Sequence, residues 1–189
     1  MSSWATSSKA AALLSLALLP VLAGLERPAA ARVHLTVEEA LALAFPGCQV
    51  ERKTAFLTAG QVERARTLSG VEVPSALVTY YTAVKGGALQ GTAYLDTHRV
   101  RTLPETLLVV VGLQGELRRI EILSFREPEE YMPREIWYDQ FKGQELDRDL
   151  EIKRDIRPVT GATLTARATT TAARRVLAIH QVLAGGAKP

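Results

Sequence analysis

Cysteine is almost absent from this chain of 189 residues; Cys48 is the only one. A single thiol cannot close an internal disulfide. With no CxxC or CxxCH pair, the usual zinc, iron–sulfur and covalent haem sites are excluded. Cys48 follows Pro46-Gly47 and is read as a small structural residue. Histidine is nearly as scarce. His34, His98 and His180 are scattered without metal-ligand spacing, and no Ser-His-Asp or Cys-His set can be built from them. His180 falls on the last helix and is expected to be partly exposed. Excess charge is also missing: 23 basic and 20 acidic residues leave a net +3. Lys9, Glu26 and Arg27 are the only charges before residue 32, so the remainder carries +2. So small and dispersed an excess gives no basis for binding nucleic acid. What is left, 47% apolar and 23% charged, is an ordinary globular composition of one domain's length.

The one long apolar run lies at the start. Ala10 to Leu25 is free of charge for 16 residues, interrupted by Pro20. It follows a short polar stretch ending at Lys9 and precedes Ala29-Ala30-Ala31, a small-residue cleavage site. The run is shorter than the ~20 residues that span a bilayer comfortably. Residues 1–31 therefore read as an export signal, with Arg32 as the mature N-terminus; an uncleaved anchor is the alternative. Either way, residues 32–189 form one domain outside the cytoplasm, in the periplasm or on the outer face of the membrane. No Cys follows the run to take a lipid.

Thr36-Val-Glu-Glu39 and Thr58-Ala-Gly-Gln61 are capping boxes. The first opens a helix that ends before Pro46. The second opens one through Arg66 that stops near Ser69-Gly70. Cys48 to Phe56 between them reads as a strand. Ala76 to Val84 is rich in Val, Thr and Tyr, and ends at the hairpin signal Lys85-Gly86-Gly87. Leu89 to Asp96 is the return strand. Leu107 to Val111, the turn Gly112 to Gly115, and Leu117 to Phe125 continue the pattern. Consecutive hairpins predict an antiparallel sheet with helices on one side, hence an α+β fold. Pro133 to Phe141 is expected to form a short helix.

Near the end, Thr160, Thr163 and Thr165 crowd six positions, followed by Thr169, Thr170 and Thr171. Leu164, Ala168, Ala172, Val176, Ile179 and Leu183 recur at helical spacing. The predicted helix starts within the threonine cluster and stops before Gly185-Gly186. A helix N-terminus presents unpaired N–H groups and a partial positive charge, which together suit a phosphate. Gly161 and Ala162 are small enough for a close ligand approach. The plainer reading is that Thr160 or Thr163 is an N-cap.

Thr160-Gly161-Ala162-Thr163-Leu164-Thr165 resembles the [Ser/Thr]-Gly-Ala-[Thr/Ser]-x-[Thr/Ser] signature of the FMN-binding domain family. This is the domain of the flavin-carrying subunits of sodium-pumping NADH:quinone reductase and of the Rnf electron-transfer complex. The resemblance covers about residues 75–184. It takes in Gly115 to Leu123 as a strand leading to a flavin-side loop, Glu127-Pro128 within that loop, and Gln140-Phe141-Lys-Gly143. The loop lacks the family's Gly pair, and Arg157 stands where many members have Asp.

The resemblance implies FMN held by a phosphoester to Thr165, with Thr160 and Thr163 hydroxyls on the phosphate and Glu127 in the flavin-side loop. It also implies a separate flavin transferase that loads FMN from FAD with Mg²⁺, and redox donor and acceptor proteins at or near the membrane. Tyr131, Met132 and Trp137 are candidates for the wall around the ring, since apolar, polarizable faces suit it. Core packing explains them equally well. Arg167, the nearest basic residue downstream, is available to the phosphate or lies on a solvated helix face. No acid–base pair marks a substrate pocket, so a carrier is expected rather than an enzyme with its own small substrate. A non-covalent FMN reductase and a flavin-free binding domain are the alternatives.

Overall fold

A computed structural model describes Met1 and residues 32–186. The expected export signal, residues 1–31, therefore lies outside the described residues apart from Met1.

The α+β expectation holds. Six antiparallel strands form one sheet in the order β1-β6-β5-β4-β3-β2. They are β1 (Arg32–Val33), β2 (Gln49–Phe56), β3 (Leu77–Lys85), β4 (Ala88–Arg99), β5 (Pro104–Val111) and β6 (Leu117–Phe125). The helices are α1 (Val37–Ala44), α2 (Ala59–Ser69), the single turn α3 (Glu135–Tyr138) and α4 (Thr163–Gly186). Short 3-10 turns at Glu129–Tyr131 and Asp139–Phe141 flank α3. Both capping boxes form: Thr36 and Glu39 bond reciprocally, as do Thr58 and Gln61. Gly70 ends α2 at φ 68°, a left-handed position that glycine occupies without strain. Among the described residues no helix is long and apolar enough to cross a membrane.

Three expectations need correction. Helices cover both faces of the sheet. Ala40 and Leu41 of α1, with Phe45 just after it, pack on Tyr81, Ala83, Leu108, Val110 and Leu123. On the other face, α2, α3 and α4 pack on Tyr94, Leu107, Val109, Val111 and Ile120. The continuous apolar run of β5 is the trace of this, since a strand covered on both sides has no solvated face. Gly91 lets the first layer close: a Cβ there would meet the Val111 carbonyl at 2.9 Å and the Phe45 ring at 3.0 Å.

The second correction concerns α4, which continues through Gly185 and Gly186. The third concerns its buried face. Ala172, Val176 and Ile179 are buried as the stripe predicts, but Leu164 is 46% exposed. In the first turns Thr165, Ala166, Thr169 and Thr170 face inward instead. Residues 32–33 pair with Ser124 and Phe125 as an edge strand.

Candidate functional site

Loop residues 157–162 bring the chain to the start of α4 against α3. Gly161 sits at φ 86°, a region that costs most other residues free energy. Ala162 precedes the first helical residue, and its carbonyl accepts the first helical bond from the Ala166 amide at 2.9 Å. The amides of Thr163, Leu164 and Thr165 thus lie at the open end of the helix, without intrahelical acceptors. Alanine has no side-chain acceptor, so neither Thr160 nor Thr163 caps this helix. Thr163 Oγ1 instead donates to the Val159 carbonyl at 3.3 Å. Thr160 is exposed.

Beside this helix start lies a cleft of about 570 Å³. Met132, Ile136 and Trp137 line it from the α3 segment, and Val159, Thr160 and Ala162 from the loop. Trp137 ties the two walls together. Its indole Nε1 donates to the Arg157 carbonyl at 2.8 Å, and the Arg157 amide donates to Gln140 Oε1 at 2.9 Å. Trp137 also packs edge-on against Tyr138 and Phe141, with ring centroids 5.1 and 5.3 Å away. It therefore serves the core and the cleft together. Arg134 and Arg157 line the cleft too, exposed and without a carboxylate partner among the described residues, and outnumber the one acid of its lining, the exposed Glu130. Arg157 thus adds positive charge near the helix N-terminus.

The fold gathers Met132, Trp137, Thr160 and Ala162 around this cleft, with Gly161, Thr163 and Leu164 beside it in the chain. It places three other candidates elsewhere. Thr165 lies in the first turn but faces inward, fully buried, and its Oγ1 donates to the Tyr131 carbonyl at 2.5 Å. An exposed hydroxyl was expected there. The phase of α4 puts Leu164 outside and Thr165 under the 3-10 turn Glu129–Tyr131. The Tyr131 ring lies beneath the Arg101 guanidinium, 4.7 Å from its centroid, rather than in the cleft. Glu127 holds a loop: Oε1 accepts from the Thr102 and Leu103 amides, each at 2.7 Å, and from the Arg101 amide at 3.2 Å. Burial opposes its ionisation, but these amides outweigh it and keep the carboxyl below its ordinary value.

No family model, curated protein or solved structure matches the chain.

A buried charged network under α4 was not foreseen. Arg175 forms a two-pronged bond with Asp96, both contacts 2.8 Å. Asp96 Oδ1 meets His98 Nδ1 at 2.9 Å, and His98 Nε2 meets Glu105 Oε2 at 3.0 Å. His98 and Glu105 are directly opposite on β4 and β5. Burial works against the Asp96 carboxylate, but bonds and charge from His98 and Arg175 hold its pKa at about 2. Burial likewise opposes His98 protonation, yet Asp96 and Glu105 raise it to about 9. For Glu105 burial prevails and the pKa rises. The sequence did carry a signal. Strand alternation places Asp96 and His98 on the same face as Tyr94, a residue type that packs inward. Among the described residues, no cluster of His, Cys, Asp or Glu could hold a metal.

Proposed function

We propose that this chain is an exported electron carrier that holds FMN at the N-terminus of α4, through a phosphoester to Thr165. The observation that carries this reading is the Thr160 to Thr165 signature opening α4 beside a cleft with an apolar, aromatic wall. The residues fit the phosphate end of the cofactor. The free helix amides, the helix dipole and the guanidinium groups of Arg134 and Arg157 all favour an anion there. Met132, Ile136 and Trp137 offer the flat apolar surface that a ring system needs. Bound FMN would supply the redox chemistry, and the chain would supply position and charge balance. Ile136, 76% exposed at the rim, keeps that side of the cleft open to redox donor and acceptor proteins near the membrane.

Loading would make the chain a substrate of a flavin transferase. Thr165 Oγ1 would attack the FMN phosphorus of FAD, a phosphoester would form, AMP would leave, and the hydroxyl proton would pass to solvent. This requires Oγ1 to leave the Tyr131 carbonyl, so Glu129–Tyr131 must yield. The burial of Thr165 favours a second reading, in which the same cleft holds FMN without a covalent bond.

Co-expression with a transferase, followed by a denaturing gel viewed for flavin fluorescence and peptide mass mapping, separates these readings. Label on Thr165 supports the first. Flavin that co-purifies but is lost on denaturation supports the second. No flavin at all returns the chain to a cofactor-free binding domain. Export is tested by fractionating the native host. Full-length chain in the cytoplasm would refute it, and detergent-dependent extraction with residue 1 intact would indicate the uncleaved anchor.

A further inference from the structure

Arg167 lies two residues beyond Thr165, roughly 200° further round the helix. It does not line the FMN cleft. Instead it lines a second cleft of about 510 Å³, between α4, the C-terminal end of α2 and the loop around Lys153. Three cations border this space: Arg167, Arg174 and Lys153. None has a carboxylate partner among the described residues. The one acid at the rim, Glu151, is 3.5 Å from Arg154 and partly balanced by it.

Arg174 is half-buried and held rigidly by backbone. Its Nε donates to the Ser69 carbonyl at 2.8 Å, and Nη1 donates to the carbonyls of Asp147 and Leu150 at 2.7 and 3.0 Å. Those bonds use three of its five N–H groups and neutralise none of its charge. Nη2 makes no hydrogen bond among the described residues and lies on the Gly70 side of the cleft, 3.9 Å from where a Gly70 Cβ would stand. Thr171 adds a half-buried hydroxyl without a hydrogen-bond partner among the described residues. Lys153 is the only non-glycine residue with positive φ among the described residues, at 73°. A lysine in that conformation is strained.

We propose that this second cleft binds a small phosphate-bearing anion. Arg174 Nη2, the Arg167 guanidinium and Thr171 Oγ1 lie along one face of α4 and the Lys153 ammonium on the neighbouring loop, and cationic donors gathered from two elements suit a multiply charged oxyanion. The site is independent of the FMN reading.

The test uses purified exported chain and sodium pyrophosphate or inorganic phosphate as probes. Binding is followed by calorimetry, with sodium chloride at matched ionic strength as control. Saturable binding is expected. Arg167→Ala should weaken it about ten- to a hundredfold, as for loss of a hydrogen bond to a charged group. Lys153→Gly should also weaken it without lowering the melting temperature, because glycine accepts the left-handed conformation. Saturable binding should persist when Arg134→Ala and Arg157→Ala remove the cations at the start of α4. Three results would each overturn the proposal: no binding beyond the chloride control, undiminished binding in the Arg167→Ala/Lys153→Gly pair, or loss of binding in Arg134→Ala. The last would place the anion at the start of α4.

Discussion

Replacing Thr165 with valine tests the candidate attachment residue and the packing beneath it together. Valine keeps the shape of threonine and removes Oγ1. Thr165 is fully buried, and that oxygen donates to the Tyr131 carbonyl. The substitution therefore leaves a carbonyl without its donor in a site that water cannot easily reach. A buried polar group stripped of its partner costs about 1–3 kcal/mol. With a urea dependence near 2 kcal/mol per molar for a domain of this size, the unfolding midpoint should fall by roughly 0.5–1.5 M. Thr165→Ser keeps the oxygen and loses one buried methyl, about 1 kcal/mol. Thr165→Ala loses both and should be the least stable of the three. Urea titration of the flavin-free proteins followed by far-UV circular dichroism measures the series. The same variants co-expressed with a transferase should show denaturation-resistant flavin in wild type, less in Thr165→Ser, and none in Thr165→Val or Thr165→Ala. A wild-type midpoint for Thr165→Val would refute the buried hydrogen bond. Full labelling of Thr165→Val would refute the attachment site.

Further expectations concern the core and the cleft. His98 has a folded pKa of about 9, above its ordinary 6.5, so its contribution to stability is complete below pH 6.5 and disappears as pH rises through 9. Urea midpoints should fall over that window and flatten in His98→Gln; a pH-independent wild type would contradict the network. Arg175→Met leaves the buried Asp96 carboxylate with His98 as its one cation and should cost about 3–5 kcal/mol by the same assay, more than an ordinary surface change. Ile179, 7% exposed on the buried stripe of α4, should cost ~2–5 kcal/mol as Ile179→Ala. Ile179→Asp should prevent folding, and a normal melting curve for it would show that the helix phase is wrong. Arg134→Ala with Arg157→Ala should weaken retention of non-covalent FMN in equilibrium dialysis, most at low salt, where screening is least; unchanged retention would remove both residues from the site.

Much of the fold was legible because its signals are local. The capping boxes at Thr36 and Thr58 close within four residues, and Gly70 ends α2 through its own backbone freedom. Lys85-Gly86-Gly87 turns a hairpin whose strands are neighbours in sequence. The long helix announced itself through the spacing of Ala172, Val176 and Ile179. For the candidate site, the sequence by itself singled out the Thr160 to Thr165 stretch at the start of that helix, and Met132 and Trp137 as partners for it.

Tertiary structure decided what depends on which surfaces meet. The phase of the first turns of α4 turned Leu164 outward and Thr165 inward, against the apolar pattern, because the Tyr131 carbonyl and the neighbouring core accept the threonine face. Glu127 became a loop anchor because three amides from residues 101–103, distant in sequence, converge on it. Arg157 reached the cleft because Trp137 and Gln140 hold its backbone. The chain Arg175–Asp96–His98–Glu105 spans a helix and two strands, and no short-range pattern encodes such a convergence. Residue periodicity determines which face of an element is apolar. Only the packing of elements determines which buried polar groups find one another, since a hydrogen bond in the core depends on positions fixed by distant parts of the chain.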